Sequence, residues 1–596
     1  MIPRSGPLKT RSPCSICVKR KVKCDRQVPC LNCIKRGQDK ECLKSYQQNV
    51  KKSVSLAFHN DKSLLSIWQE YEYWVLALGA TQLENFDNSG FVDVESDLEE
   101  VRYWREYLSR EASFKLLDYA VAELGGFFFG CVGDVGELYV QLSTYWSRQE
   151  TDSLQTIDDF FWNTILWSIF TMCVFYIPTE SLAEILRPAV VSQWLYDRAE
   201  HHWNSGLKNE LYKGFLKTAV RTLENANFLS HPDVRVIQSY LILAVTPFPQ
   251  LHKPLANSLL VHSLHLAKSL RIDNFRPLVT DSTELRLKKA SSERLWYRLS
   301  VQDYWQSGPN KPISLHEENG SLLTHAAFLM DKPTIDVYKS EDTFEALMWK
   351  LVSLDRDLER YFVQPSKPPL RTIEAVQKQT EIFRHKISMY DAYESTSSKL
   401  EKFLATFLLG AVEWRLFQLD LLHYDTARSL PKLVQQTKVS VTLILGNMAN
   451  GSAAYNKFPI VTTTLAKMYA FHSFCFVFSN SAENEQLLGD LSEVFANLEI
   501  NSLVATRKII SLARRFVELR KLWRSIKVLD KVHQDDHPVI KILQSDIETV
   551  SSLYSRVSGV ARDNDSISDR PKSQEFERIV RAFDSAHSFK DILDSS

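Results

Sequence analysis

The chain has 596 residues, of which 44% are hydrophobic, 24% charged and 11% aromatic, with only 18 Gly and 21 Pro. That length exceeds what one core can hold, and the balance excludes collagen-like, low-complexity and small disulfide-scaffold proteins; scarce Gly and Pro favour long helices over turn-rich β architecture. Formal net charge is zero, yet residues 1–52 carry fourteen Lys and Arg against three acids, so a segment of +11 is joined to a body of −11. Such asymmetry directs the basic end toward a polyanion.

The opening residues, MIPRSGPLKTRS, contain no apolar run, and six of the nine cysteines fall between Cys14 and Cys42. The chain therefore reads as intracellular, with clustered thiols held for metal rather than for disulfides. Their spacing is Cys14-x2-Cys17-x6-Cys24-x5-Cys30-x2-Cys33-x8-Cys42. Zinc prefers four tetrahedral thiolate or imidazole ligands, and a C-x2-C turn brings two sulfurs to one ion. Two separate all-thiolate sites need eight sulfurs; six are present, and the first histidine is His59. Six suffice for two tetrahedra only when two sulfurs bridge, and the first thiols of the two halves, Cys14 and Cys30, are the natural bridges. A single site from Cys14, Cys17, Cys30 and Cys33, leaving Cys24 and Cys42 idle, is an open alternative. So is a zinc store, although storage does not explain the neighbouring lysines.

After Cys17 comes Val18-Lys19-Arg20-Lys21-Val22-Lys23, a helix-compatible run with four cations in five positions; after Cys33 comes Ile34-Lys35-Arg36-Gly37. Gly37 suits a left-handed position just past a helix, so the second helix is expected to stop early while the first reaches into a groove. Lys19, Arg20, Lys21 and Lys23, with Lys35 and Arg36 behind them, form the candidate DNA-binding set. Some would donate to guanine edges in the major groove and the rest would neutralise phosphates. The bland alternative is a solvated charge run.

With these residues in place, 14–42 resembles the Zn2Cys6 binuclear cluster of fungal transcription factors, and residues 1–43 are set off as that module. The resemblance implies two Zn2+ ions, one held by Cys14, Cys17, Cys24 and Cys30 and the other by Cys14, Cys30, Cys33 and Cys42. It further implies that Lys21 reads a CGG-type triplet with Arg20 as companion. Pro29 matches the family's loop proline, whereas Val18 stands where an arginine is common.

Residues 44–60 read as a polar, partly basic linker. Over 61–79, Leu64, Ile67, Tyr71, Trp74 and Leu78 recur at alternating intervals of three and four, a two-heptad seam that predicts either a short dimerisation helix or packing into the next domain.

From 80 to 557 the pattern is helical. The run 160–177 lacks charge for 18 residues, but Thr164, Ser168 and Thr171 share one face and no Lys/Arg bias flanks it, which predicts a buried core helix and no membrane span. Gly125 to Gly136 read as a close-packed helix junction. In 256–274 the apolar residues form one face opposite His262, His265 and Lys268, so the histidines are expected at the surface. Solitary Cys131, Cys173 and Cys475 read as core residues. Glu293-Arg-Leu-Trp-Tyr-Arg-Leu, Asp303 and the Gly308-Pro-Asn-Lys-Pro turn resemble the fungal-specific transcription factor regulatory domain over about 190–330, with Trp296 and Asp303 read as a structural pair. His533 to His537 read as a loop. The chain carries no G-x-S-x-G, H-E-x-x-H or P-loop pattern, which argues against an enzyme and leaves catalytic residues unassigned.

Residues 558–596 read as a polar linker and flexible tail in which Phe576, Ile579, Val580 and Phe583 space as an amphipathic helix among acids. That composition suits a short coactivator-binding segment or a docked terminal helix. The whole is expected to be mostly α: a small Zn2Cys6 module, a short linker, a large all-α regulatory domain and a tail. The expected function is nuclear, sequence-specific transcription regulation by RNA polymerase II through double-stranded DNA, with homodimer and coactivator partners. The runner-up is a DNA-docking, non-enzymatic subunit of a chromatin-associated complex.

Overall fold

In a computed structural model of the chain, the described residues fold into helices where their apolar periodicity runs near 3.6, and no strand occurs among them. The residues described are 15–25, 30–40, 62–79, 101–186, 205–274, 280–306, 315, 343–363, 367–388, 396–478, 482–498, 504–525 and 537–558, apart from a few single positions. They belong to two compact units, Met1–Asp61 and Lys62–Ser596. The fold is thus mostly α, a small cysteine-rich unit and a large helical body.

The small unit contains α1 (Ser15–Lys19) and α2 (Leu31–Ile34). The body opens with α3 (Lys62–Tyr71), which runs on as π-helical turns over Glu72–Gly79. Its first half comprises α4 (Arg110–Glu123), α5 (Val135–Glu150), α6 (Ile157–Tyr176), α7 (Thr179–Leu186), α8 (Ser205–Asn225), α9 (Val234–Ala244), α10 (Lys253–Ser269) and α11 (Thr283–Gln306). Its second half comprises α12 (Thr343–Val363), α13 (Leu370–Ser388), α14 (Thr396–His423), α15 (Thr426–Ala449), α16 (Pro459–Phe478), α17 (Ala482–Asn497), α18 (Val504–Ser525) and α19 (Pro538–Ser558).

Two helices that are apolar all round sit at the two centres, as a stripe with no polar face requires. Around α6 pack α4, α5, α8 and α9. Its start is fixed by a capping box: Asp159 N–H donates to Thr156 Oγ1 at 3.2 Å, and Thr156 N–H donates to Asp159 Oδ2 at 2.6 Å. Thr164, Ser168 and Thr171 each donate to the carbonyl four residues back, at 2.7–2.8 Å, so these three buried hydroxyls are satisfied by the helix's own backbone. The second centre is α16, enclosed by α15, α17 and α18. By length and composition α16 passes the test for a membrane-crossing helix, yet 78% of that apolar window is buried inside the body. Between the two centres α14 packs on α12, α13, α15 and the buried turn Gly125–Phe128.

The seam in 61–79 does not face outward. Leu64, Ile67 and Tyr71 are buried against the chain's own helices, and Trp68 sits 5.2, 5.0 and 6.5 Å, centre to centre, from the rings of Phe471, Phe474 and Phe516. Trp74 is half-buried, and the side chain of Leu78 lies outside the described residues. Within the single chain this face packs into the body. An a/d stripe specifies only that one face must be covered, and here the cover lies about 400 residues further along the chain.

Trp296 and Asp303 are both buried, and Asp303 accepts a hydrogen bond from Leu315 N–H at 2.9 Å, so the pair is structural. His265 is exposed as expected, but His262 is half-buried, its ring 5.2 Å from that of Phe228. Gly130 is required by a close approach: a Cβ there would lie 2.2 Å from Arg298 Nη2.

Candidate metal centre and nucleic-acid interface

The small unit repeats itself with a period of sixteen, Cys14 to Cys30 and Cys17 to Cys33, and the backbone repeats with it. In the first half Lys21 N–H donates to Val18 O at 3.1 Å and Val22 N–H to Cys17 O at 3.0 Å; in the second Gly37 N–H donates to Ile34 O at 3.0 Å and Gln38 N–H to Cys33 O at 2.9 Å. Each pair of bonds is a Schellman ending, and the residue past the cap takes the left-handed conformation, φ 53° at Lys21 and φ 65° at Gly37. Both helices therefore stop at the same place. The expectation that the first would run on through Lys23 is corrected: α1 ends at Lys19, and Lys21 holds the position that glycine holds in the other half. A residue with a Cβ pays roughly 1–2 kcal/mol for that conformation.

This ending aims the cysteines inward and the cations outward. Cys17, Cys30 and Cys33 are 1%, 0% and 3% exposed and form the core of the unit, with Ile16 and Cys24 against them. Lys19, Arg20, Lys21, Lys23, Lys35 and Arg36 are all exposed. The Sγ atoms of Cys17, Cys30 and Cys33 lie within 4.8 Å of one another. Cys17 Sγ and Cys30 Sγ are 3.6 Å apart, too far for a disulfide and close to the edge of about 3.8 Å that a tetrahedron with 2.3 Å zinc–sulfur bonds would have. Cys30 also lies within 4.8 Å of Cys24, so one sulfur is common to two groups of potential ligands. The donor set and its spacing fit zinc. Cys14 and Cys42, the remaining two candidate ligands, lie outside the described residues.

Two residues that the spacing did not single out hold this geometry. Asp25 accepts from Leu31 N–H at 3.0 Å, capping α2 with a carboxylate where the helix leaves its amides unpaired. Asn32 donates its side-chain amide to Lys23 O at 2.5 Å, tying the second half to the end of the basic stretch. The available signal was weak: an acid and an amide beside a loop, with no fixed distance between them.

Two family profiles match the chain. Residues 12–53 match the fungal Zn(2)-Cys(6) binuclear cluster domain. Residues 103–593 match Cep3, the B component of the centromere DNA-binding protein complex CBF3. The chain belongs to the Cep3 family. A curated relative from Saccharomyces cerevisiae, described as the same CBF3 component, is 38% identical over 613 residues that span 100% of both chains. Among solved structures, one titled "Structure of the K. lactis CBF3 core" superposes with a TM-score of 0.65 at 26% identity, covering 88% of this chain and 99% of that one.

Membership in the Cep3 family corrects the reading of 190–330 as a fungal-specific transcription factor regulatory domain. Among the residues that suggested it, Leu295, Trp296, Leu299 and Asp303 are buried on α11, and the Gly308-Pro-Asn-Lys-Pro turn lies outside the described residues. Their spacing records a helix face packed into a core, which unrelated helical bodies share. The zinc-cluster assignment of the N-terminal module stands.

Proposed function

We propose that this chain is a non-enzymatic DNA-docking subunit of a centromere-associated nuclear complex, with the N-terminal unit gripping duplex DNA and the helical body serving assembly. The observation that carries this reading is the end-to-end similarity to a protein named for that role, 38% identical over 100% of both chains. It is the chromatin-complex alternative of the sequence analysis. Promoter-specific control of RNA polymerase II genes, with coactivators recruited by 575–596, has no comparable support, and those tail residues lie outside the described ones.

In this reading Cys14, Cys17, Cys24, Cys30, Cys33 and Cys42 hold two zinc ions, with Cys14 and Cys30 shared; the central place of Cys30 among the sulfurs supports its role as a bridge. Bound zinc would keep the thiolates ionised and cross-link the two halves. Lys21 and Arg20 then address a CGG-type triplet, while Lys19, Lys23, Lys35 and Arg36 neutralise phosphates. A three-base-pair site recurs too often to mark one locus, so a second copy or other DNA-binding subunits must add base pairs. A homodimer would need a surface other than the buried face of α3.

Affinity purification of the tagged chain with genome-wide mapping of its sites tests this. Stoichiometric recovery of a multi-subunit assembly, with binding confined to about one locus per chromosome, is expected. Recovery as a solitary protein on many promoters would overturn the reading.

A further inference from the structure

Cys24 stands apart from the other described thiols of the small unit. Cys17 and Cys33 lie at helix ends where their carbonyls accept the N–H groups of Val22 and Gln38, and Cys30 caps α2, so a helix end orients each of those sulfurs. All three are buried. Cys24 is half-buried, lies in the non-helical stretch 22–25 and belongs to no C-x2-C pair. A ligand on such a stretch needs its direction fixed by groups outside the ligand set.

Two contacts supply that direction. One residue before Cys24, Lys23 O accepts from Asn32 Nδ2 at 2.5 Å; one residue after it, Asp25 Oδ2 accepts from Leu31 N–H at 3.0 Å. Leu31 and Asn32 are the two residues that follow Cys30. The contacts therefore fasten 23–25 beside 30–32 on both sides of one cysteine, and the Sγ atoms of Cys24 and Cys30 lie within 4.8 Å of each other.

A carboxylate oxygen of Asp25 is within the same distance of both sulfurs. Ligation does not account for it, because six bridged thiolates already fill two tetrahedra. Those thiolates also outweigh the charge of two divalent ions, so a carboxylate beside them is repelled. Its bond to the Leu31 amide is what offsets that cost.

We propose that Asp25 and Asn32 are positioning residues that hold Cys24 against the shared Cys30 and so govern how fast the ion bound by Cys24 is released. This rests on the two-ion reading above, in which that ion takes Cys14, Cys17, Cys24 and Cys30. Cutting either contact lets Cys24 swing away and leaves its ion with three sulfurs. The other ion keeps Cys14, Cys30, Cys33 and Cys42, a complete tetrahedron with or without its neighbour. One ion of the pair is affected and the other is not.

The test follows zinc release from the intact, zinc-loaded chain to a chromophoric chelator. Asp25→Ala removes the acceptor and Asn32→Asp removes the donor; each should release one ion per chain about tenfold faster and leave the second at its original rate. Asp25→Asn keeps an oxygen that can accept from Leu31 N–H and should restore release to within about threefold of the unaltered chain. Cadmium-113 NMR of the cadmium-loaded chain gives a second readout, in which Asn32→Asp should move one of two resonances and leave the other in place. Faster release of both ions together would mean that the two residues merely hold the fold, and would overturn the proposal, as would unaltered release of both. Release from Asp25→Asn as fast as from Asp25→Ala would make the carboxylate charge or direct ligation the cause, and would overturn it too. Should Asp25→Ala and Asn32→Asp take up no metal, Asn32→Ser, with a shorter donor, decides: faster release of one ion upholds the proposal, and equal release of both overturns it. An unaltered chain that holds a single zinc ion would instead refute the two-ion reading, and this proposal with it.

Discussion

Lysine at position 21 occupies a backbone conformation that its counterpart sixteen residues on gives to glycine, φ 53° against φ 65°. Strain of this kind persists where the side chain is needed, and it allows fold and recognition to be separated by one substitution. Lys21→Gly should keep or raise the thermal stability of the zinc-loaded unit, since glycine adopts the left-handed conformation without the Cβ penalty. It should also lower affinity for cognate DNA by about 1–3 kcal/mol while leaving random-sequence DNA nearly unaffected. Lys23→Ala should weaken both equally and shrink the salt slope by about one. Fluorescence anisotropy on cognate and scrambled duplexes at several salt concentrations checks all of this; equal losses on both duplexes for Lys21→Gly would remove that residue as a reader. The sequence shows the thiol repeat and the cations plainly. It does not show where α1 stops, because a lysine past a helix end carries no signal, whereas Gly37 does.

At the level of elements, α3 ties the body's beginning to its end. Trp68 is enclosed by rings from α16 and α18, and Tyr71 lies 5.3 Å from the Phe516 ring, centre to centre. Trp68→Ala should cost about 3–5 kcal/mol, visible as an earlier urea midpoint of the intact chain. The mass by light scattering should stay the same below the transition, because the deleted face covers the chain's own core. A change in oligomeric state without loss of stability would return α3 to the role of a dimer seam. Helices such as α6 and α10 were legible because their apolar residues recur at helical spacing and α6 carries its own cap. The partner of α3 was not legible, since local periodicity says that a face is covered and never by what.

For the molecule as a whole, the division at Asp61 and Lys62 separates a unit held by sulfur from one held by aromatic and aliphatic packing. Their failure modes should differ accordingly. A strong zinc chelator should abolish DNA binding by the intact protein yet leave the melting of the helical body in place, two events resolved by near-UV circular dichroism and a binding assay on one sample. A single cooperative collapse on metal removal would contradict that independence. The basic and acidic halves of the chain announced this partition in the charge count alone. The family of the body did not announce itself, because buried leucines and tryptophans at helical spacing look alike in many all-helical proteins. The start of the body also has a mechanical side. Force applied at Lys62 would be passed along a helix plugged by the Trp68 indole and latched by the Glu72–Arg415 pair, to α14, α16 and α18. Load would thereby be shared among several packed helices rather than borne by one.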